Sequence, residues 1–477
     1  MSNGMSNADA RSELVEKTRQ AFGERAAITA MEDMEPWLTD WRGRWHGRSD
    51  AILAPASTEE VVAIVGWAAA GGVPLVPQGG NTSMVGGATP AEDGSALVLS
   101  LRRMNRVREM APDSAVAEAG VILADLHASA AEQGRRFPLT LGARGSCTVG
   151  GLAATNAGGT QVLRFGTMRS LVLGVEAVLA DGSVHDGLAG LKKDNRGYSL
   201  DQLLVGSEGT LGVITAVRVR LVPAVAARAV AWVGLRSPTD ALRLLRRIEQ
   251  DTDRVEGFEI LPDAAMQRVV EHIQGARAPL EGRHPWHALI EATAPDMAGE
   301  GSRDLLERLL AGALGSGLVR DAAISSSEAQ AEAFWRLRDS ISEAERASGV
   351  AAQHDISVPV DAMPGFMVDA AAEVERAYPG TEAFGYGHLG DGNIHFHVRA
   401  PAGAAPDWAD GEGKAVSRLV HDLVTAAGGS ISAEHGIGQM KREELGRLLP
   451  PARLAALHAI KQALDPRGIL NPGKLLP

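Results

Sequence analysis

The chain reads as short alternating apolar runs broken by glycine-rich turns, interleaved with longer stretches of helical period. Residues 8–35 form a polar, partly helical lead-in, and Trp41, Arg42 and Trp45 precede an extended segment ending at Pro55. Ser57-Thr58-Glu59-Glu60 is a capping box for a helix whose apolar face is Val61, Val62, Ile64 and Val65 and whose end is Gly71-Gly72. Strands are predicted over 73–76, 96–101 and 115–121, then a helix to Gln133 stopped by Gly134. A short helix over 150–157 precedes a strand over 171–179 that turns at Asp181-Gly182 and returns. Val217, Val219 and Leu221 alternate with Arg218 and Arg220 in a half-exposed strand that ends at Pro223.

Pro223 and the alanine-rich run after it mark a boundary. Beyond it come a strand over 229–235, a helix over 239–249 and a strand over 257–260, then a second round at 287–293, 301–316 and 320–324. This order predicts an α+β cap of ferredoxin-like character. A helix over 327–346, a strand over 354–359 and a helix over 411–427 complete the pattern. The last residues, Leu464 to Lys474, hold Asp-Pro, Asn-Pro and Pro-Gly pairs and read as a rigid turn run.

At 477 residues the chain is long enough for two or more domains with substantial cores. A net charge of -12 without any basic block argues against nucleic acid as a partner. The one cysteine, Cys147, excludes an intramolecular disulfide and a thiolate cluster, which leaves it as small buried filler. No apolar run suits a membrane span, and the first residues are too polar for a signal peptide, so the expectation is a cytoplasmic protein.

The stretch 384–398 concentrates the chemistry. It is expected to open as a glycine loop carrying His388 and to close as a strand with His395 and His397 on one face. Taken singly, each is an ordinary histidine of a half-buried strand. Three of them in ten residues, among glycines that serve no packing purpose, point to a site. Two converging imidazoles need a third ligand, which Ala433-Glu434-His435-Gly436 offers. Two histidines and a carboxylate with open positions make a reactive metal centre. Gly385-x-Gly387-x-x-Gly390 matches a dinucleotide fingerprint by letter, but a strand follows where a helix should.

Three further glycine-rich stretches lie at 77–87, 141–159 and 203–214. The first follows a strand and has no lysine, so its backbone amides suit a diphosphate that stays bound. In the second, small residues let a flat ring lie against backbone, and the amides opening its short helix are free for a ligand. Together, in this order, the three resemble the FAD-binding domain of vanillyl-alcohol oxidase and para-cresol methylhydroxylase, the PCMH type, built of two α/β subdomains. That resemblance implies that Pro77, Gly79, Gly80, Asn81, Thr82 and Gly86 hold the pyrophosphate region. Ser146, Thr148, Gly150, Asn156 and Ile214 would line the rest. Gln78 stands where such domains often have Arg, and Ser83 where they have Gly; neither change removes a backbone donor. The first loop has no histidine, so the FAD is expected to be non-covalent.

Residues 228–477 resemble the C-terminal half of the FAD-linked D-2-hydroxyacid dehydrogenases, through GHLGDGNIH, AEHGIG and DPRGILNPGK. The resemblance implies that His388, His395 and Glu434 bind a divalent metal, zinc or manganese, that His435 is the general base, and that Asn471 returns to the flavin. Arg338, Ser342, Gln353 and His397, with His435, would contact the substrate. The domains implied are a lead-in over 1–44, an FAD-binding domain over 45–223, a substrate cap over 224–425 and a helical C-terminal segment over 426–477. A metal on the substrate hydroxyl acts as Lewis acid, an imidazole takes the proton, and the flavin accepts the hydride because no side chain can. Glu434 and His435 are neighbours, and the glycines after them imply a bent backbone that lets both reach the centre.

Two departures bear on the substrate. Gln353 stands where the 2-hydroxyglutarate group has Lys, and His397 where it has Asn. The loss of the lysine charge weakens the case for a distal carboxylate, so D-2-hydroxyglutarate and a shorter or less acidic D-2-hydroxy acid both remain candidates. An NADPH-dependent reductase, a non-redox alkyl transferase and an electron carrier are the rival classes; a carrier needs no alcohol-activating base. The resemblance implies an electron-transfer flavoprotein or a quinone as electron acceptor. A homodimer is compatible with the sequence.

Overall fold

The computed structural model describes residues 6–295 and 299–477. The first five residues of the lead-in lie outside the described residues. The chain divides into two compact units, one of residues 1–157, 167–223 and 434–477, the other of residues 158–166 and 224–433.

The first unit contains a four-stranded sheet, a five-stranded sheet and a two-stranded pairing of Arg135–Arg136 with Val222–Pro223. Strands Leu75–Gln78, Leu97–Ser100 and Ile52–Leu53 are parallel neighbours, with Ala27–Ile28 added antiparallel at the edge. Helices Asn7–Phe22 and Thr58–Gly71 pack on this sheet through Leu14, Val61, Ile64 and Val65, all buried. Ser57 caps the helix as expected, its Oγ accepting the Glu60 N–H, while the Glu60 carboxylate reaches one residue past the cap to the Ala56 N–H. The second sheet is antiparallel, in the order Val107–Met110, Ser114–Glu118, Val213–Arg220, Val172–Val178, Val184–Asp186. Its central Val213–Arg220 strand shows the expected alternation at its end, with Val217 and Val219 buried and Arg218 and Arg220 half-buried, the Arg218 guanidinium reaching Glu109 and Ser114. The C-terminal turn run joins the first sheet. The Leu75 N–H donates to the Ile469 carbonyl and the Asn471 N–H to the Leu75 carbonyl, each at 2.8 Å. Cys147 is buried, and burial raises its thiol pKa to about 11.

The second unit is one seven-stranded antiparallel sheet. Its first four strands, Asp321–Ile324, Ala227–Leu235, Trp286–Ala294 and Val255–Pro262, have the strand order of a ferredoxin-like fold, backed by Pro238–Asp251 and Ser302–Gly315. Glu382–His388, Asn393–Arg399 and Ala351–Ser357 extend it.

Three expectations change here. The stretch 384–398 is a hairpin, not a loop followed by a strand, so His388 ends a strand. Its glycines do pack: a β-carbon on Gly385 would lie 2.8 Å from Ile394 Cγ2, and one on Gly387 2.2 Å from the Asn393 carbonyl oxygen. The helix expected over 327–346 is two, Glu328–Asp339 and Ile341–Ala347, meeting at Ser340. Helices Asp263–His272 and Met363–Ala377 were not foreseen; alanines and methionines dilute their apolar period. Among the described residues no helix is long and apolar enough to cross a membrane.

Candidate active site

In the first unit, the first glycine stretch leaves the Leu75–Gln78 strand and meets the second. A β-carbon on Gly79 would lie 2.2 Å from Thr148 Oγ1, and one on Gly80 2.1 Å from the Ser146 carbonyl oxygen, so no larger residue fits where the loops touch. Arg102 stacks on Trp37 and donates to the Gly79 and Gly80 carbonyls at 3.3 and 3.0 Å. Asn81, with φ 54°, gives its side-chain NH2 to the Pro36 and Thr39 carbonyls, so its backbone N–H is the donor left for a ligand. Thr82 is half-buried in the same loop, and the Gly86 carbonyl is held by Gln439 at 3.0 Å. Thr148 caps the Val149–Thr155 helix, and Asn156 closes it, its Oδ1 accepting from Thr167 Oγ1 and the Arg169 N–H.

These loops line a partly open cleft whose walls include Pro77, Gly79, Gly150, Ile214, Glu208 and His435. Apart from Gln78, Glu208 and His435, its walls are backbone, small residues and apolar side chains. Gln78 also lines it. That side chain donates to the Trp37 and Ala88 carbonyls while its buried Oε1 has no partner. A flat ring bearing an N–H suits both features, so the residues fit a flavin.

Glu208 and Arg102 escaped the sequence reading. Glu208 has φ 52° and a buried carboxylate that accepts the N–H groups of Ile437 and Gly438, each at 2.7 Å. Burial pushes its pKa up, against those hydrogen bonds and the charges of Lys441 and Lys474. Burial in turn pulls the Lys474 ammonium down to about 8. The Asn471 side chain donates to the Gly87 and Glu208 carbonyls, and its Oδ1 is buried without a partner. Thus the loop after His435 is tied to the third glycine stretch, and Gly436 at φ 82° makes the expected bend. The only hint at sequence level was a charged residue inside Gly206-Ser207-Glu208-Gly209.

In the second unit, strand register builds a polar row on one sheet face. Glu259 pairs with His388, Tyr386 with His395, and Phe384 with His397. On the other side, Asp355 pairs with His395 and Gln353 with His397. Directly opposite residues share a face, so His388, His395, His397 and Gln353 lie on one face of the sheet. The rings of His388 and His395 are 5.6 Å apart, centre to centre. His388 Nδ1 lies 2.5 Å from Glu259 Oε1, and the other Glu259 oxygen receives Arg338 Nη2 at 2.7 Å and Nε at 2.8 Å. Burial opposes the charge on Glu259, but Arg338 and His388 outweigh it and hold the carboxyl below its usual range. Burial likewise opposes the charge on Arg338, and Glu259 more than compensates. Ser342 Oγ lies 3.0 Å from the Tyr386 hydroxyl. His397 Nδ1 faces Glu345 Oε2 at 3.7 Å, and Glu345 also meets Arg268 and Arg399.

An imidazole whose Nδ1–H is held by a carboxylate presents its Nε2 lone pair, the arrangement of a metal-binding histidine. With His395 beside it and Asp355 adding negative charge across the strand, the donor set fits a divalent cation. Glu259 and Asp355, missed from sequence, sit in strands that otherwise read as core. Glu434 and His435 open the segment that returns to the first unit, following directly on Ala433.

Residues 225–475 match the C-terminal domain of FAD linked oxidases and residues 49–187 an FAD binding domain. The chain is 36% identical over 462 residues to the mitochondrial D-2-hydroxyglutarate dehydrogenase of Arabidopsis thaliana, covering 96% of this chain and 80% of that one. It is 39% identical over 456 residues to the Bos taurus protein of the same name, covering 94% and 81%. Among solved structures, p-cresol methylhydroxylase with substrate bound aligns with a TM-score of 0.74 at 14% identity over 99% of this chain and 97% of that one, a likeness of fold.

Proposed function

This chain belongs to the family of FAD-linked oxidases, and on that premise we propose that it oxidises a D-2-hydroxy acid to the 2-oxo acid with non-covalent FAD and a divalent metal, zinc or manganese. Bound FAD supplies the hydride acceptor, and the metal supplies the Lewis acid that eases loss of the hydroxyl proton. In this reading Pro77, Gly79, Gly80, Asn81, Thr82 and Gly86 cradle the diphosphate. Ser146, Thr148, Gly150, Asn156, Ile214 and Asn471 surround the remainder of the cofactor.

His388, His395 and Glu434 are the metal ligands. The observation that carries the reading is the Glu259 hydrogen bond to His388 Nδ1, which leaves Nε2 as the basic nitrogen for a ligand. Chain connectivity supports the third ligand. Ser430 is bridged to Ser357, two residues beyond Asp355, and the four residues from there to Glu434 span at most about 14 Å. His435 takes the hydroxyl proton. Arg338 binds the substrate carboxylate through Nη1, because Nε and Nη2 are committed to Glu259. Ser342, Gln353 and His397 meet the substrate's far end.

The names of the relatives favour D-2-hydroxyglutarate. A second reading, a shorter or less acidic acid, rests on Gln353 and His397, which lie directly across from each other with no lysine at either position. An electron-transfer flavoprotein or a quinone reoxidises the flavin, and the cytoplasm is the location. The lead-in over 1–44, FAD-binding domain over 45–223, cap over 224–425 and returning segment over 426–477 are the functional divisions.

The test is anaerobic bleaching of the flavin. D-2-hydroxyglutarate or D-lactate should bleach it and NADPH should not. A chelator should abolish bleaching while the yellow colour stays, and added zinc should restore it. Bleaching that survives chelation sinks the metal assignment; bleaching by NADPH alone sinks the dehydrogenase.

A further inference from the structure

We propose that Glu259 is a positioning residue that couples two functional groups, setting the tautomer of the metal ligand His388 with one carboxylate oxygen and the aim of the substrate-binding Arg338 with the other. This rests on the reading of the site given above.

Strand register puts Glu259 directly opposite His388, and the side chain is 1% exposed. Both oxygens are used: Oε1 at 2.5 Å from His388 Nδ1, Oε2 at 2.7 and 2.8 Å from two nitrogens of Arg338. Arg338 Nη2 also lies 3.4 Å from His388 Nε2, and its guanidinium stands 5.7 Å from the Tyr386 ring. The three groups therefore form one buried unit rather than separate pairs. A buried ion pair gains little net stability, since losing hydration costs about what the attraction returns. Its effect here is orientation. The carboxylate neutralises Arg338 before any substrate arrives and occupies one edge of the guanidinium, so the Nη1 end, which faces the exposed Asp339 carboxylate at 3.7 Å, is the end left for a substrate carboxylate. It also makes His388 Nδ1 a donor, which leaves Nε2 as the basic nitrogen. A change at one partner is transmitted to the other through a shared acid.

The experiment measures zinc affinity by chelator competition, and KM against kcat, on the full flavin-loaded chain. Glu259→Asp keeps the counter-charge for Arg338 but withdraws the carboxylate by one methylene. It should weaken zinc ten- to a hundredfold and raise KM for the hydroxy acid more than it lowers kcat. Glu259→Leu/Arg338→Leu removes both charges together and should lose zinc affinity to the same degree. Glu259→Gln/Arg338→Leu, which restores an acceptor for His388, should recover most of it. Parental zinc affinity in Glu259→Asp or in the leucine pair overturns the proposal, as does a glutamine pair no better than the leucine pair. His388→Ala separates the two levels. If it holds zinc as the parent does, the metal reading itself has failed. If it loses zinc while the Glu259 variants keep it, only the role of Glu259 has failed.

Discussion

Glu208 Oε2 lies 2.7 Å from the backbone nitrogen of Gly438, 230 residues further along the chain. With the matching bond to Ile437, it fastens the loop after His435 to the wall of the cleft. Hydrogen bonds to a charged acceptor contribute roughly 1.5–3 kcal/mol each. Glu208→Ala should lower the melting temperature and, by letting His435 shift, slow flavin reduction about a hundredfold. Thermal unfolding and stopped-flow reduction under anaerobic conditions measure both.

Replacing His435 with Gln removes the base but keeps a polar side chain of similar size. Flavin and zinc content should stay at parental levels while the rate of flavin reduction falls by about a factor of a hundred to ten thousand. Equal rates in the two proteins would remove His435 from the reaction.

Gly80→Ala would place a methyl group 2.1 Å from the Ser146 carbonyl oxygen. The first two glycine stretches would have to separate. The variant should purify with little or no flavin, read from the ratio of visible to ultraviolet absorbance.

Gln353→Lys puts a cation beside His397, its cross-strand partner. If the substrate's far end lies there, kcat/KM for D-2-hydroxyglutarate should rise about tenfold relative to D-lactate, the effect of one charge-assisted hydrogen bond. An unchanged ratio would move the far end of the substrate elsewhere.

Glu176 supplies a pH dependence. Burial alone would raise its pKa, but hydrogen bonds from Thr58, Arg108 and Thr215 outweigh burial and lower it below 4.5. An acid lowered on folding stabilises the protein above its unfolded pKa and loses that contribution as pH falls through the folded one. The melting temperature should therefore drop as pH is taken from 6 to 3, and Glu176→Gln should flatten that drop.

Whatever depends on near neighbours was legible in the residues alone. Ser57 with Glu60 announced a helix start, alternation announced strands, and the three glycine stretches announced a cofactor site, because capping, pleating and close backbone approach are local demands. His388 and His395 stood out for the same reason, as unusual chemistry packed into few residues. Strand pairing decided the rest. It turned a presumed loop into a hairpin and set Glu259 against His388 and Asp355 against His395. The fold likewise brought Glu208 to the loop after His435. An isolated glutamate in an apolar strand reads as an exposed edge residue. Only the partner strand reveals whether it meets solvent or an imidazole, since a shift of one residue in register would turn it to the other face.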